Sequence, residues 1–257
     1  MAKAEFRLEG EVGEIVLDDP PLNLFDLELS RDLARAAGEA RDSAARAILV
    51  RAEGDNFSAG ANVEIFLGRD EAAARELIDE FMPTIRRFAE IGVPTVAAVH
   101  GLCLAAGLEV ALSCDLIWAA AGAQLGLVEA VIGATPFGGG TQRLVARAGA
   151  GRAAEAVLTA RPYPAETMLE WGVVNRVVAA DELREKATSF VRRLAAGPTL
   201  AHAATKRMIR LAVDEGVEAA DAALSQVGAG VMASEDLQNG ARTLLEKGPG
   251  HASFEGR

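Results

Sequence analysis

VPTVAAVHGLCLAAGLEVALSCDLIWAA (residues 93–120) is the stretch on which the fold turns. Val93 to Val99 is β-branched and apolar and runs into His100-Gly101, which predicts a buried strand ending in a turn. Small residues carry the chain to Gly107–Cys114, a short buried helix by composition, and Leu116–Ala120 is a further strand. Ile91 to Leu108 holds no Asp, Glu, Lys or Arg, a length at the lower edge for a membrane span. Pro94, His100 and glycines 92, 101 and 107 interrupt it, and Glu109 and Asp115 follow at once, so a buried strand, a turn and a helix start are expected instead.

On the N-terminal side, Phe6–Leu8 and Glu14–Leu17 read as paired strands, Leu27–Arg41 as a helix and Ala45–Arg51 as a strand. Ala72–Ile91 reads as a long amphipathic helix that Pro83 should kink or divide. On the C-terminal side, Ala123–Leu127 is a strand, and Pro136–Thr141 a glycine-rich turn opening a helix from Gln142 to Ala148. Helices follow at 153–159, 165–171 and 181–196, with a strand at 173–178 between the last two. From Thr199 onward only helices are expected, ending in a polar tail. Strands and helices alternate through two-thirds of the chain and helices alone follow, which predicts an α/β core with an α-helical appendage.

The formal charge of −11, from 37 acids and 26 bases, argues against a nucleic-acid coat or an anionic membrane surface as partner. Cys103 and Cys114 stand in apolar surroundings and read as buried thiols. Three scattered histidines and no Cys-x-x-Cys pair give no metal site. The N-terminal MAKAEFRLEG lacks an apolar core of the secretory kind, so the cytoplasm is the expected compartment.

Four segments could carry chemistry. Asn56-Phe57-Ser58-Ala59-Gly60-Ala61-Asn62 follows a strand and consists mostly of small residues, so a ligand could approach its N–H groups; a plain tight turn is the alternative. Gly101 to Leu112 places a helix N-terminus, with unpaired N–H groups, beside Glu109, the only charge between Ile91 and Cys114. A buried ion pair would also account for Glu109. Glu129 again stands alone, either functional or exposed at a corner between strand and helix. Two carboxylates flanking one substrate can divide general acid and general base work. Pro136-Phe137-Gly138-Gly139-Gly140-Thr141-Gln142-Arg143 could cradle a phosphate or let backbones pack closely. It lacks the Gly-Lys-Ser/Thr of a nucleotide-binding P-loop and is no dinucleotide fingerprint either.

These segments, in this order and spacing, resemble the enoyl-CoA hydratase/isomerase (crotonase) family. The likeness continues through Leu158-Thr159-Ala160-Arg161, Trp171 to Val178, Gly197-Pro198 and Leu244 to Lys247. It implies a superhelix of ββα units over residues 1–198 with an acyl-CoA site, and a helical trimerisation region over 199–257 that builds a trimer or a stacked hexamer. It implies a coenzyme A thioester substrate and no separate cofactor. The thioester carbonyl would accept N–H bonds from Ala61 and Ala106. Glu109 would be the base and Glu129 the acid of an enoyl-CoA hydratase, with Ala59, Gly60, Gly107, Phe137 and Lys247 binding substrate. A double-bond isomerase, or an acyl-CoA-binding protein without turnover, would share the fold. Three residues depart from the family pattern: Ala106 for a glycine, Asn62 for an aspartate, and Phe137 where a glycine is common in hydratases.

Overall fold

The computed structural model describes residues 2–257. β1 (Ala4–Glu9) and β2 (Val12–Leu17) form an antiparallel hairpin. Asp26 caps α1 (Leu27–Asp42) by accepting the Leu29 N–H at 2.8 Å. Leu29, Leu33, Ala36, Ala37 and Ala40 then bury one helix face, the spacing of an amphipathic helix against a core.

Three turns of a spiral follow; each gives one strand to a large sheet, and the second and third also give one to a small sheet, beside which Ser58 of the first makes a single parallel bridge to Cys103. The first turn is β3 (Ala47–Ala52), the loop through Ser58 and α2 (Glu71–Glu90). The second is β4 (Thr95–Val99), β5 (Leu102–Leu104) and α3 (Ala106–Ser113). The third is β6 (Leu116–Ala120), β7 (Gln124–Gly126), a 3-10 turn at Glu129–Ile132, α4 (Gly140–Ala148) and α5 (Ala150–Thr159). Then come β8 (Tyr163–Pro164), α6 (Ala165–Glu170), β9 (Arg176–Val178) and α7 (Leu183–Ala195). The large sheet has the order β1-β2-β3-β4-β6-β9, parallel from β2 onward, and the small sheet the order β5-β7-β8. Every residue of β3 and β4 is buried, the pattern of parallel strands covered on both faces.

α8 (Thr199–Asp214), α9 (Val217–Met232) and α10 (Glu235–Lys247) complete the chain. Buried and partly buried polar groups tie them to the core and to one another. Arg46 meets Glu11 at 2.8 Å, the Thr199 hydroxyl at 2.6 Å, and the carbonyls of Gly197 and Phe254 at 2.7 and 3.1 Å. Lys206 reaches Asp115 at 2.7 Å, and Asp115 also accepts the N–H and hydroxyl of Thr95. Asp236 accepts the N–H groups of Glu255 and Gly256, which folds the tail back onto α10.

Of the two outcomes expected at Pro83, division does not occur, for the residue lies inside an unbroken α2. The strand expected at 173–178 shortens to β9, because the N–H groups of Val173 and Val174 both bond the Met168 carbonyl and close α6 instead. β5 and β8, three and two residues long, show no alternation from which to be read. No helix among the described residues is long and apolar enough to cross a membrane.

Candidate active site

A cavity of about 460 Å³ opens between α2, the start of α3, the 3-10 turn at Glu129–Ile132 and the turn before α4. Its walls are chiefly apolar, among them Phe66, Leu77, Phe81 and Ile132. Ala59, Ala61, Ala106, Glu109, Glu129 and Phe137 all line it.

Ala61 owes its place to Phe25. The Phe25 N–H bonds the Gly60 carbonyl and the Asn62 N–H bonds the Phe25 carbonyl, both at 2.9 Å, in an isolated parallel bridge. Alternate residues of an extended segment aim their polar groups to opposite sides, so the Ala61 N–H points away from Phe25. It has no acceptor among the described residues. Asn62 itself caps the short 3-10 turn Val63–Phe66, accepting the Glu64 N–H at 3.1 Å.

Ala106 is the first residue of α3, where N–H groups lack intrahelical partners and the helix dipole is positive. The left-handed backbone falls on its neighbour: Ala105 has φ 47° and ψ −121° and is pinned by its N–H to the Gly126 carbonyl at 2.8 Å. Gly60 and Gly107 lie behind the wall. A Cβ on Gly60 would come within 2.8 Å of Ala105 Cβ, and one on Gly107 within 2.6 Å of Ser58 Cβ. Lys247 is exposed at the end of α10 and does not line the cavity.

Glu109 is 5% exposed, and its Oε1 accepts the N–H groups of Gly138 and Gly140 at 2.8 and 2.9 Å. The glycine-rich turn thus cradles a carboxylate of the same chain. Side chains are excluded there: a Cβ on Gly138 would sit 2.7 Å from Glu109 Oε2, and one on Gly140 2.9 Å from its Cγ. Burial pushes the Glu109 carboxyl above the usual carboxylate range, while the two N–H bonds and the charge of Arg143 pull it back. Sequence reasoning missed Gly138 and Gly140 as donors, because nothing along the chain links residue 109 to residue 140.

Glu129 opens its 3-10 turn in a different setting. Its Oε2 is buried with no hydrogen-bond partner. Burial, with a lesser push from the Glu109 charge, raises its carboxyl to about 7 against a bond to its own N–H. One carboxylate is therefore held by donors that favour its charged form, and the other, on the same cavity, has an unpartnered oxygen and is about half protonated at pH 7. Phe137, 36% exposed, closes one side with its ring 6.1 Å from that of Phe66, tilted by 55°. Both cysteines are buried and inert, with Cys114 pushed up to about 12 and Cys103 higher still.

The chain is similar to proteins with the same general design. A short-chain-enoyl-CoA hydratase of Clostridium acetobutylicum is 28% identical over 242 residues, covering 93% of each chain. A carnitinyl-CoA dehydratase of Salmonella typhimurium is 32% identical over 244 residues, again 93% of each. The crystal structure of an enoyl-CoA hydratase from Bacillus anthracis superposes with a TM-score of 0.91 at 27% identity, covering 99% of this chain and 100% of that one. The sequence profile of the enoyl-CoA hydratase/isomerase family matches residues 7–257. With its spiral of strand, strand and helix and a profile match over nearly its whole length, the chain belongs to the enoyl-CoA hydratase/isomerase family, whose enzymes act on acyl-CoA thioesters.

Proposed function

We propose that this protein is an enoyl-CoA hydratase, adding water across the α,β double bond of an enoyl-CoA thioester. The observation that carries the reading is the pairing of two unlike carboxylates on one cavity: Glu109 held by two N–H donors, and Glu129 with a buried, unpartnered oxygen. Two carboxyls in such unlike surroundings, one held by donors that favour its charged form and one without them, suit a base and an acid. In this mechanism the thioester carbonyl accepts the N–H groups of Ala61 and Ala106, which stabilise the enolate oxygen as it gains charge. The free Oε2 of Glu109 takes a proton from water as the oxygen attacks the β-carbon. Glu129 gives its proton to the α-carbon, which leaves the charge count of the site unchanged.

The test uses the absorbance of the conjugated enoyl thioester, first on crotonyl-CoA and then on a panel of acyl chains. Glu109→Gln and Glu129→Gln should each lower kcat by roughly 10²- to 10⁴-fold, the usual loss for an acid or base. The double variant should lose far less than the product of the two, because both groups act together in one addition step. Wild-type hydration in Glu129→Gln would exclude the two-carboxylate mechanism. Double-bond migration in place of hydration would mark an isomerase, and no turnover of any thioester a binding protein.

A further inference from the structure

Arg143, in the first turn of α4, is turned toward backbone and forms no ion pair among the described residues. Its Nη1 donates to the carbonyls of Gly138 and Gly139, at 3.3 and 3.2 Å. The Gly139 carbonyl belongs to the same peptide group as the Gly140 N–H, which donates to Glu109 Oε1 at 2.9 Å. One continuous chain therefore runs from guanidinium to carbonyl, through the peptide, to N–H and carboxylate. A cation on the carbonyl end of a peptide polarises it and strengthens the donor at the other end. Arg143 does not line the cavity.

We propose that Arg143 is a positioning residue for Glu109, acting through the Gly138–Gly140 turn to hold the carboxylate in place and in its charged form without touching substrate. The proposal rests on the hydratase reading in that Glu109 is the base. The charged groups around the pair are few. Asp214 and Arg210 on α8 act on Arg143 with opposite signs, and Glu129 and Arg69 line the same cavity as Glu109. Arg143 is the cation whose charge opposes the burial of Glu109. A neutral donor could shape the turn equally well; only a cation also favours the ionised carboxylate.

The experiment compares the parent enzyme with Arg143→Gln and Arg143→Lys. It follows kcat and KM against pH on the best thioester. It also follows the carboxyl 13C resonance of Glu109 in protein labelled with 13C-glutamate, assigned by its loss in Glu109→Gln. In Arg143→Gln the acid limb of kcat/KM and the 13C midpoint should rise together by about one pH unit, as for loss of a nearby opposite charge. On the acid side, kcat/KM should then fall about tenfold and recover as pH rises. KM should change little. Arg143→Lys keeps the charge but not the planar fork, so its midpoint should shift upward by less. A midpoint unchanged in Arg143→Gln, with activity reduced equally at every pH, would overturn the proposal and leave Arg143 a purely structural part of the turn. Should Arg143→Gln not fold, Arg143→Met, which also removes the charge, decides in its place, and a midpoint identical to the parent's overturns the proposal. If the parent hydrates no thioester, the hydratase reading fails, and the 13C midpoints still decide whether Arg143 governs Glu109.

Discussion

Ala105 shows how the cost of a substitution can fall beside the residue that first draws notice. The sequence singles out Ala106 as an alanine in a glycine position, yet Ala106 sits comfortably in α3 and Ala105 takes the left-handed conformation. An L side chain in that region costs about 1–3 kcal/mol. Ala105→Gly relieves it and adds back roughly 0.5–1 kcal/mol of backbone entropy. The net expectation is a gain of about 1 kcal/mol in unfolding free energy, read from denaturant midpoints at unchanged m-value. Glu129 carries a cost of another kind. Its carboxyl ordinarily loses its proton near 4.5 and in the fold near 7, so the native state holds the proton more tightly. That binding stabilises the fold fully below 4.5, and the contribution is lost as pH rises through 7. Glu129→Gln should therefore melt above the parent at pH 8, with the gap narrowing toward pH 5; an equal gap at both values would show that charge is not the cause.

Among the elements, Phe137 connects packing to substrate choice. It comes from the turn before α4 and Phe66 from the 3-10 turn before α2, and their rings meet at the cavity wall. Phe137→Gly removes one of the two and should raise kcat/KM for longer or branched enoyl thioesters relative to crotonyl-CoA. An unchanged ranking across a chain-length series would count against that role. The long elements were legible in the sequence because burial leaves a period: the α1 face from Leu29 to Ala40, and the unbroken apolar runs of β3 and β4. β5 and β8 left none, since so few residues cannot alternate and their pairing is supplied by distant partners. Pro83 leaves α2 undivided because the loss of one hydrogen bond is set against the packing of Leu77, Ile85 and Phe88 on either side of it, all buried. The isolated charges at 109 and 129 were visible as exceptions to an apolar pattern. What holds each of them was not, because Gly138 and Gly140 reach Glu109 only through the winding of the spiral.

At the scale of the whole molecule, α8 buries none of its residues in this chain and α9 only Ala220. Ile209, Val213, Leu224, Met232 and Leu245 are exposed on these helices and on α10. We propose that they are covered by further copies of the chain in a trimer or hexamer, for an apolar surface of this extent marks an interaction face. Light scattering at micromolar concentration should give three or six times the chain mass; a monomer there would remove the claim. The large sheet has a separate consequence. Its spatial order, β1-β2-β3-β4-β6-β9, follows the order of the strands along the chain, with the strands it skips set aside in the small sheet. No later strand must be wedged between two earlier ones. As the polypeptide leaves the ribosome, each newly emerged strand meets an edge already prepared by its predecessor, so the order of synthesis can also be the order of assembly. The unpaired edge that such a half-made sheet exposes advances from strand to strand until β9 ends the row.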